Sequence, residues 1–288
     1  LYPGPQRDRA GTLDRTTAVQ IRRSRNRAFA LAAALALAAG GCRTIRVPYA
    51  PGTADPRTVR LPLTEMPASG PGAVFAIVLT GDGIFPGLAD DLGRSLSRGG
   101  FPAVVWSSMR YYIQPHSPAH SAADLDRVIR WYRQRWHRDG VVLVGYSMGA
   151  DVLPFMVNRL PPDTRRAVRG IALLGAADDA VFVFEVEEWW GPTAAPTLPS
   201  LPEIQKLSVE PRICAYGDGD DEAACDQFSE YLRVVHFGGG HHFKGEEERV
   251  KHLVLQLAQN AENEQFAQQP PAPAAGLGDA VHAGAATP

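Results

Sequence analysis

The chain has 288 residues, 45% of them hydrophobic, with 29 Lys and Arg against 31 Asp and Glu. That length and apolar content suit one sizeable α/β core with tails. The basic residues crowd the beginning: residues 42–288 keep 22 basic against 29 acidic groups, a formal charge of −7, which argues against nucleic acid as a partner.

In chain order, residues 1–20 show no recognisable element, and an over-extended gene start is the expectation for them. Arg22-Arg23-Ser24-Arg25-Asn26-Arg27 then precedes an Ala/Leu-rich run at 28–39, too short to span a bilayer and suited to the apolar core of a signal peptide. The run ends in Ala39-Gly40-Gly41-Cys42. Small residues directly before a cysteine resemble a bacterial lipobox, so residues 1–41 read as a signal region and Cys42 as a lipidation site that anchors the protein to a membrane. The alternative is ordinary signal cleavage nearby with Cys42 incidental; both readings export the domain to the periplasm. Residues 42–71, rich in Pro, Thr and Ala, read as a linker with an edge strand near residues 58–61.

Residues 73–79 form a continuous apolar run, as a strand covered on both faces should, and deliver Thr80-Gly81-Asp82-Gly83. An early strand-to-helix loop supplies the second donor of an acyl-transfer oxyanion hole, so the Gly83 N–H is a candidate; a simple turn is the bland alternative. A helix over 88–96 and a strand over 102–106 follow. Arg110, Tyr111 and Tyr112 then fall at a strand end, where ligands bind in open α/β sheets. A guanidinium there holds phosphate or carboxylate, making the three a candidate substrate-binding set; an exposed loop Arg beside packed tyrosines is the competing reading. Residues 122–138, with Leu125, Val128, Ile129 and Tyr132 at helical spacing, lead into the next strand.

That strand, Val141-Val142-Leu143-Val144, enters Gly145-Tyr146-Ser147-Met148-Gly149 and leaves into a helix over 150–160. Strand, Gly-x-Ser-x-Gly and helix in succession are the layout of a nucleophile elbow. The glycines let a sharp turn hold its central residue in a strained conformation, exposing Ser147 as a nucleophile with the Met148 N–H beside it as an oxyanion donor.

After a strand over 168–174, Asp178 and Asp179 are a weak candidate for paired glycosidase carboxylates, because adjacent residues point apart. Residues 181–190, ending in Trp189-Trp190, read as a lid or as a surface hairpin. A strand over 212–216 opens into Gly217-Asp218-Gly219-Asp220-Asp221-Glu222, where the acid of a catalytic triad belongs. Asp220 is the first choice, with Asp218 and Asp221 as alternatives. Cys214 and Cys225 flank this segment and are expected to form a disulfide in an oxidising compartment. The last strand, 233–237, gives way to Gly238-Gly239-Gly240-His241-His242-Phe243, the place of the general base in the order Ser, Asp, His. His241 is the candidate base, and His242 supports it or faces substrate. Metal binding by the His pair lacks further His or Cys at ligand spacing, so neither metal nor cofactor is expected. A helix over 250–257 closes a domain spanning 72–260, and the Gln, Pro, Ala and Gly of 261–288 predict a disordered tail.

The extended elbow from Gly145 through Gly149-Ala150-Asp151-Val152-Leu153-Pro154-Phe155, with Thr80-Gly81-Asp82-Gly83, Cys214-x-Tyr216-Gly217 and Gly239-Gly240-His241-His242-Phe243, resembles the bacterial virulence protein VirJ / AcvB family over residues 73–257. The resemblance implies an α/β-hydrolase fold, a mostly parallel central sheet with helices on both faces and a Ser nucleophile elbow. It also implies export to the periplasm and either hydrolysis of aminoacylated phosphatidylglycerol, chiefly the lysyl form, or a link to type IV secretion. Ser147 and His241 carry over as nucleophile and base. The chain departs at Ile84, where family members often have Trp.

The sequence therefore predicts an exported, lipid-anchored serine hydrolase that cleaves carboxylic esters through an acyl-enzyme. The rival is a periplasmic adaptor of a secretion system built on the same scaffold.

Overall fold

Apolar runs such as Val74–Leu79 and Gly140–Tyr146 bury both faces of a strand, and the chain spends them at the centre of one sheet. In the computed structural model, which describes residues 45–47, 59–81, 87–183 and 196–268, the sheet comprises β1 (Leu63–Met66), β2 (Val74–Leu79), β3 (Ala103–Trp106), β4 (Gly140–Tyr146), β5 (Val168–Leu174), β6 (Arg212–Gly217) and β7 (Arg233–Phe237). Their order across the sheet is β7-β6-β5-β4-β2-β3-β1. Neighbours run parallel except β1, which lies antiparallel on β3 with Leu63 opposite Trp106.

Side chains alternate across a strand, and this divides the core in two. Phe75, Ile77 and Leu79 of β2 pack on one face with Leu125, Val128, Ile129 and Tyr132 of α2 (Pro118–Trp136) and Val152 and Met156 of α3 (Met148–Asn158). Val74, Ala76 and Val78 face the other way, onto Leu88, Leu92 and Leu96 of α1 (Leu88–Arg98) and Val250, Val254 and Leu257 of α4 (Glu247–Gln268). Local signals set the helix ends: Pro118 opens α2, the Ser117 side chain accepts from the His120 N–H, and His137 ends it in the left-handed conformation at φ 51°.

The chain steps from β2 outward to β3, then returns to lay β4 on the other side of β2. Such a reversal opens a crevice at the carboxyl ends of the two strands. Thr80-Gly81 leaves one of them and Ser147 the other.

Two boundaries shift from their sequence expectations. The edge strand of the main sheet is Leu63–Met66, while Val59–Leu61 pairs instead with Ile45–Val47, so the expected linker contributes strands. The closing helix also runs to Gln268, past the expected start of the disordered tail at Ala261. Ala261 is buried in the core, and the Glu262 carboxylate accepts the Ala73 and Val74 N–H groups at 2.7 and 2.8 Å, which gives this polar stretch a reason to stay helical. The signal region 1–41, Cys42, Gly83, Trp189-Trp190 and residues 269–288 lie outside the described residues. Among those described, no helix is long and apolar enough to cross a membrane.

Candidate active site

At the end of β4 the backbone turns sharply into α3, and Ser147 holds φ 53° and ψ −125°. A non-glycine residue there is strained by about 1–3 kcal/mol, which the surrounding structure must impose. Close approach imposes it. A Cβ at Gly145 would stand 2.4 Å from the Gly149 carbonyl oxygen, and one at Gly149 would stand 2.6 Å from the Leu79 oxygen and 2.7 Å from the Thr80 oxygen. Only hydrogen fits at either place. The Ser147 N–H donates to the Leu174 carbonyl at 2.8 Å, tying the elbow to β5.

Ser147 Oγ lies 2.9 Å from His241 Nε2. His241 Nδ1 lies 3.0 Å from both carboxylate oxygens of Asp220. With a carboxylate accepting from Nδ1–H, Nε2 is left as the acceptor for the Ser147 hydroxyl. The Asp220 side chain is only 1% exposed and that of His241 23%, so the carboxylate is buried and the imidazole is partly open to solvent. Oδ1 of Asp220 also accepts the Glu222 N–H at 3.3 Å.

The other two candidate acids point elsewhere. Asp218 pairs with His236 at 2.9 Å on the surface, and Asp221 is exposed. The disulfide between Cys214 and Cys225 is formed, with both residues fully buried and their Cα atoms 5.6 Å apart. It ties β6 to the 3-10 turn Cys225–Phe228 that follows the Asp220 loop, and the Ala224 N–H bonds the Ala176 carbonyl at 2.7 Å beside it.

Met148 is the first residue of α3, so its N–H is among those a helix leaves without an intrahelical acceptor, next to Ser147. Its expected companion Gly83 lies outside the described residues, but Gly81 of the same loop abuts Ser147.

The expected substrate-binding tyrosines require correction. Tyr111 and Tyr112 are buried, and their hydroxyls bond the Asp124 carboxylate at 2.7 Å and Ser121 Oγ at 3.2 Å, both on α2. Burial, with Asp124 beside it, pushes the Tyr111 hydroxyl far above the usual phenol range, and burial raises Tyr112 likewise. Both are protonated core donors. Arg110 is half-buried, and its N–H donates to Ser107 Oγ in the cap of the short helix Ser108–Tyr111. Asp178 and Asp179 are exposed. Among the described residues no group of three His, Cys, Asp or Glu side chains comes together to hold a metal.

Three neighbours of the site escape sequence reasoning. Asp151, in the first turn of α3, accepts the Ala177 N–H at 2.7 Å. Gly175, at φ +63°, backs His241, whose Cε1 would lie 3.1 Å from an added Cβ. Tyr146 bonds the base loop from inside the elbow. The signal of Tyr146 and Asp151 is their place in the extended elbow around Ser147; Gly175 carries none.

Residues 73–262 match the family described as Bacterial virulence protein (VirJ). No curated protein matches the chain in sequence. Among solved structures, Est1E from Butyrivibrio proteoclasticus superposes with a TM-score of 0.53 at 13% identity, covering 76% of this chain and 98% of that one. The esterase domain of a Rhodothermus marinus protein gives 0.51 at 12% identity, covering 77% and 98%. Proline iminopeptidase from Mycobacterium smegmatis gives 0.51 at 11%, covering 77% and 99%. At such identities the likeness speaks to the fold, which is the α/β-hydrolase fold.

Proposed function

The chain belongs to the bacterial virulence protein VirJ family, and for this member we propose a serine hydrolase that cleaves carboxylic esters through an acyl-enzyme. One observation carries the reading: Ser147 Oγ at 2.9 Å from His241 Nε2, with His241 Nδ1 at 3.0 Å from the buried Asp220 carboxylate. Ser147 Oγ attacks the ester carbonyl while His241 Nε2 takes its proton, and Asp220 stabilises the imidazolium. The Met148 N–H, with one from the Thr80-Gly81-Asp82-Gly83 loop, receives the developing oxyanion. Collapse of the tetrahedral adduct expels the alcohol, which leaves with the proton from His241. Water then attacks the acyl-serine by the same route, releasing the acid and restoring Ser147.

Within this reading the substrate is aminoacylated phosphatidylglycerol. Its ester joins an amino acid, lysine foremost, to a glycerol hydroxyl, so the products are the free amino acid and phosphatidylglycerol. A formal −7 over residues 42–288 suits a cationic headgroup, and a lipid anchor on Cys42 would keep the site at a membrane surface in the periplasm. The buried disulfide is compatible with that compartment. A secretion-system adaptor on the same scaffold would have no use for the strain at Ser147, so the catalytic reading is preferred.

The test incubates purified protein and Ser147→Ala with lysyl-phosphatidylglycerol and with p-nitrophenyl acetate, following released lysine and p-nitrophenolate. Turnover by the wild type that is absent from Ser147→Ala is the expected result. Equal turnover by both proteins sinks the reading; turnover of the acetate alone keeps the esterase and removes the lipid.

A further inference from the structure

Tyr146 is the last residue of β4, directly before the nucleophile. Its hydroxyl lies 2.8 Å from Nδ1 of His242 and 3.3 Å from the carbonyl oxygen of His241. A phenol has one proton and can donate to only one of these two groups. Both bonds coexist in a single arrangement: His242 presents Nδ1–H to the phenolic oxygen, and the phenol donates to the His241 carbonyl. The His242 tautomer follows from its neighbours.

The base loop needs such a restraint. Gly239 and Gly240 lead into His241 at φ +83° and +64°, a region where the chain has little intrinsic stiffness. Beyond the base, Phe243 is fully buried and sets its ring 5.9 Å from that of Phe237 and 6.4 Å from that of Tyr146. The loop is thus anchored after His241 by packing. Ahead of that anchor, His242 is exposed and has no core to hold it. The Tyr146 hydroxyl bonds both histidines from the last position of the strand that leads into Ser147, so nucleophile and base share one support.

We infer that Tyr146 and His242 are positioning residues for the general base. The chain of bonds from His242 Nδ1–H through the Tyr146 hydroxyl to the His241 carbonyl holds the base loop against the elbow strand and keeps Nε2 at its distance from Ser147 Oγ. The inference rests on the hydrolase reading of Ser147. Because the pair acts through the backbone of His241, its loss lowers turnover and leaves substrate affinity alone; a misplacement of about 1 Å costs up to about a hundredfold in rate.

Steady-state hydrolysis of p-nitrophenyl acetate by Tyr146→Phe, His242→Ala, His242→Asn and the Tyr146→Phe/His242→Ala double variant tests this, with thermal midpoints measured alongside. Expected for Tyr146→Phe and His242→Ala is a fall in kcat of about tenfold, with KM within about twofold and the midpoint nearly unchanged. The double variant is no slower than the slower single one, since both remove the same chain of bonds. His242→Asn, whose amide offers an N–H near the Nδ1 position, recovers most of the turnover lost in His242→Ala. Unchanged kcat in both single variants, additive losses in the double, or equal losses in the Ala and Asn variants overturns the inference. Fluorophosphonate labelling of the wild type separates the two levels: labelled Ser147 with full-rate variants removes the positioning role alone, whereas an unlabelled, inactive wild type removes the hydrolase reading and this inference with it.

Discussion

Gly81 lies against Ser147: a Cβ built on it would stand 3.1 Å from Ser147 Cβ and 3.4 Å from Oγ. The loop leaving β2 therefore reaches Ser147 at closer range than a side chain at Gly81 permits without displacement. Gly81→Ala is expected to lower kcat for ester hydrolysis by about tenfold or more while the thermal midpoint moves only a few degrees. A variant with full turnover would mean that this wall of the site tolerates movement.

Of Asp218, Asp220 and Asp221, Asp220 is the one hydrogen-bonded to His241. Asp220→Asn keeps the shape but alters the partner of Nδ1, and kcat is expected to fall by about 10³–10⁴. Asp218 sits in an exposed pair with His236, so Asp218→Asn is expected to stay within about twofold of wild type. Steady-state kinetics on both variants decide it, and a larger loss in Asp218→Asn would reassign the acid.

The Cys214–Cys225 disulfide closes a loop of sequence separation 11 that contains Asp220. Chain entropy alone puts its contribution at about 3 kcal/mol, so the Cys214→Ala/Cys225→Ala protein should unfold at clearly lower urea concentration. Turnover should fall too, measured well below the unfolding midpoint, because the Asp220 loop loses its covalent tie. Unchanged kcat would show that the hydrogen bonds of the loop, Ala224 N–H to Ala176 and Asp218 N–H to Phe237 among them, suffice.

Remote from the site, Glu203 anchors the short helix Leu201–Gln205 to α3 through Asn158 and Arg159. Burial alone would raise its carboxyl, but the bonds from Arg159 and Asn158 outweigh it and hold the group below the usual range. A depressed carboxylate lends stability that is present above the unfolded-state value, about 4.3, and is lost as pH falls through the lower folded-state value. The stability gap between wild type and Glu203→Gln, about 1–3 kcal/mol at pH 7, should therefore narrow as pH falls below about 5. Urea titrations at pH 7 and pH 3 check the sign. A gap that widens in acid contradicts it.

The core of this architecture is plain in the sequence because unbroken apolar runs such as residues 73–79 and 141–144 have few other uses, and because Gly145 and Gly149 flank a serine between a strand and a helix. The partner of His241 is harder to read. Asp218, Asp220 and Asp221 all satisfy a loop pattern, and only the folded loop, which turns through Gly219 at φ +74°, shows Asp220 buried against His241. Tyr111 and Tyr112 mislead for a related reason: a polar tip near a strand end looks like a ligand group until α2 supplies Asp124 and Ser121 as partners from elsewhere in the chain. The end of α4 is masked by composition, since Glu262 serves β2 and its own neighbours give no sign of that.

The central claim is that Ser147 is an activated nucleophile, and covalent capture tests it most directly. Folded wild-type protein and Ser147→Ala are treated with a fluorophosphonate, digested, and mapped by mass spectrometry. The account predicts modification on Ser147 of the wild type and none in the variant. A folded wild-type protein that stays unmodified, or one labelled at another residue with Ser147→Ala labelled equally, would contradict it.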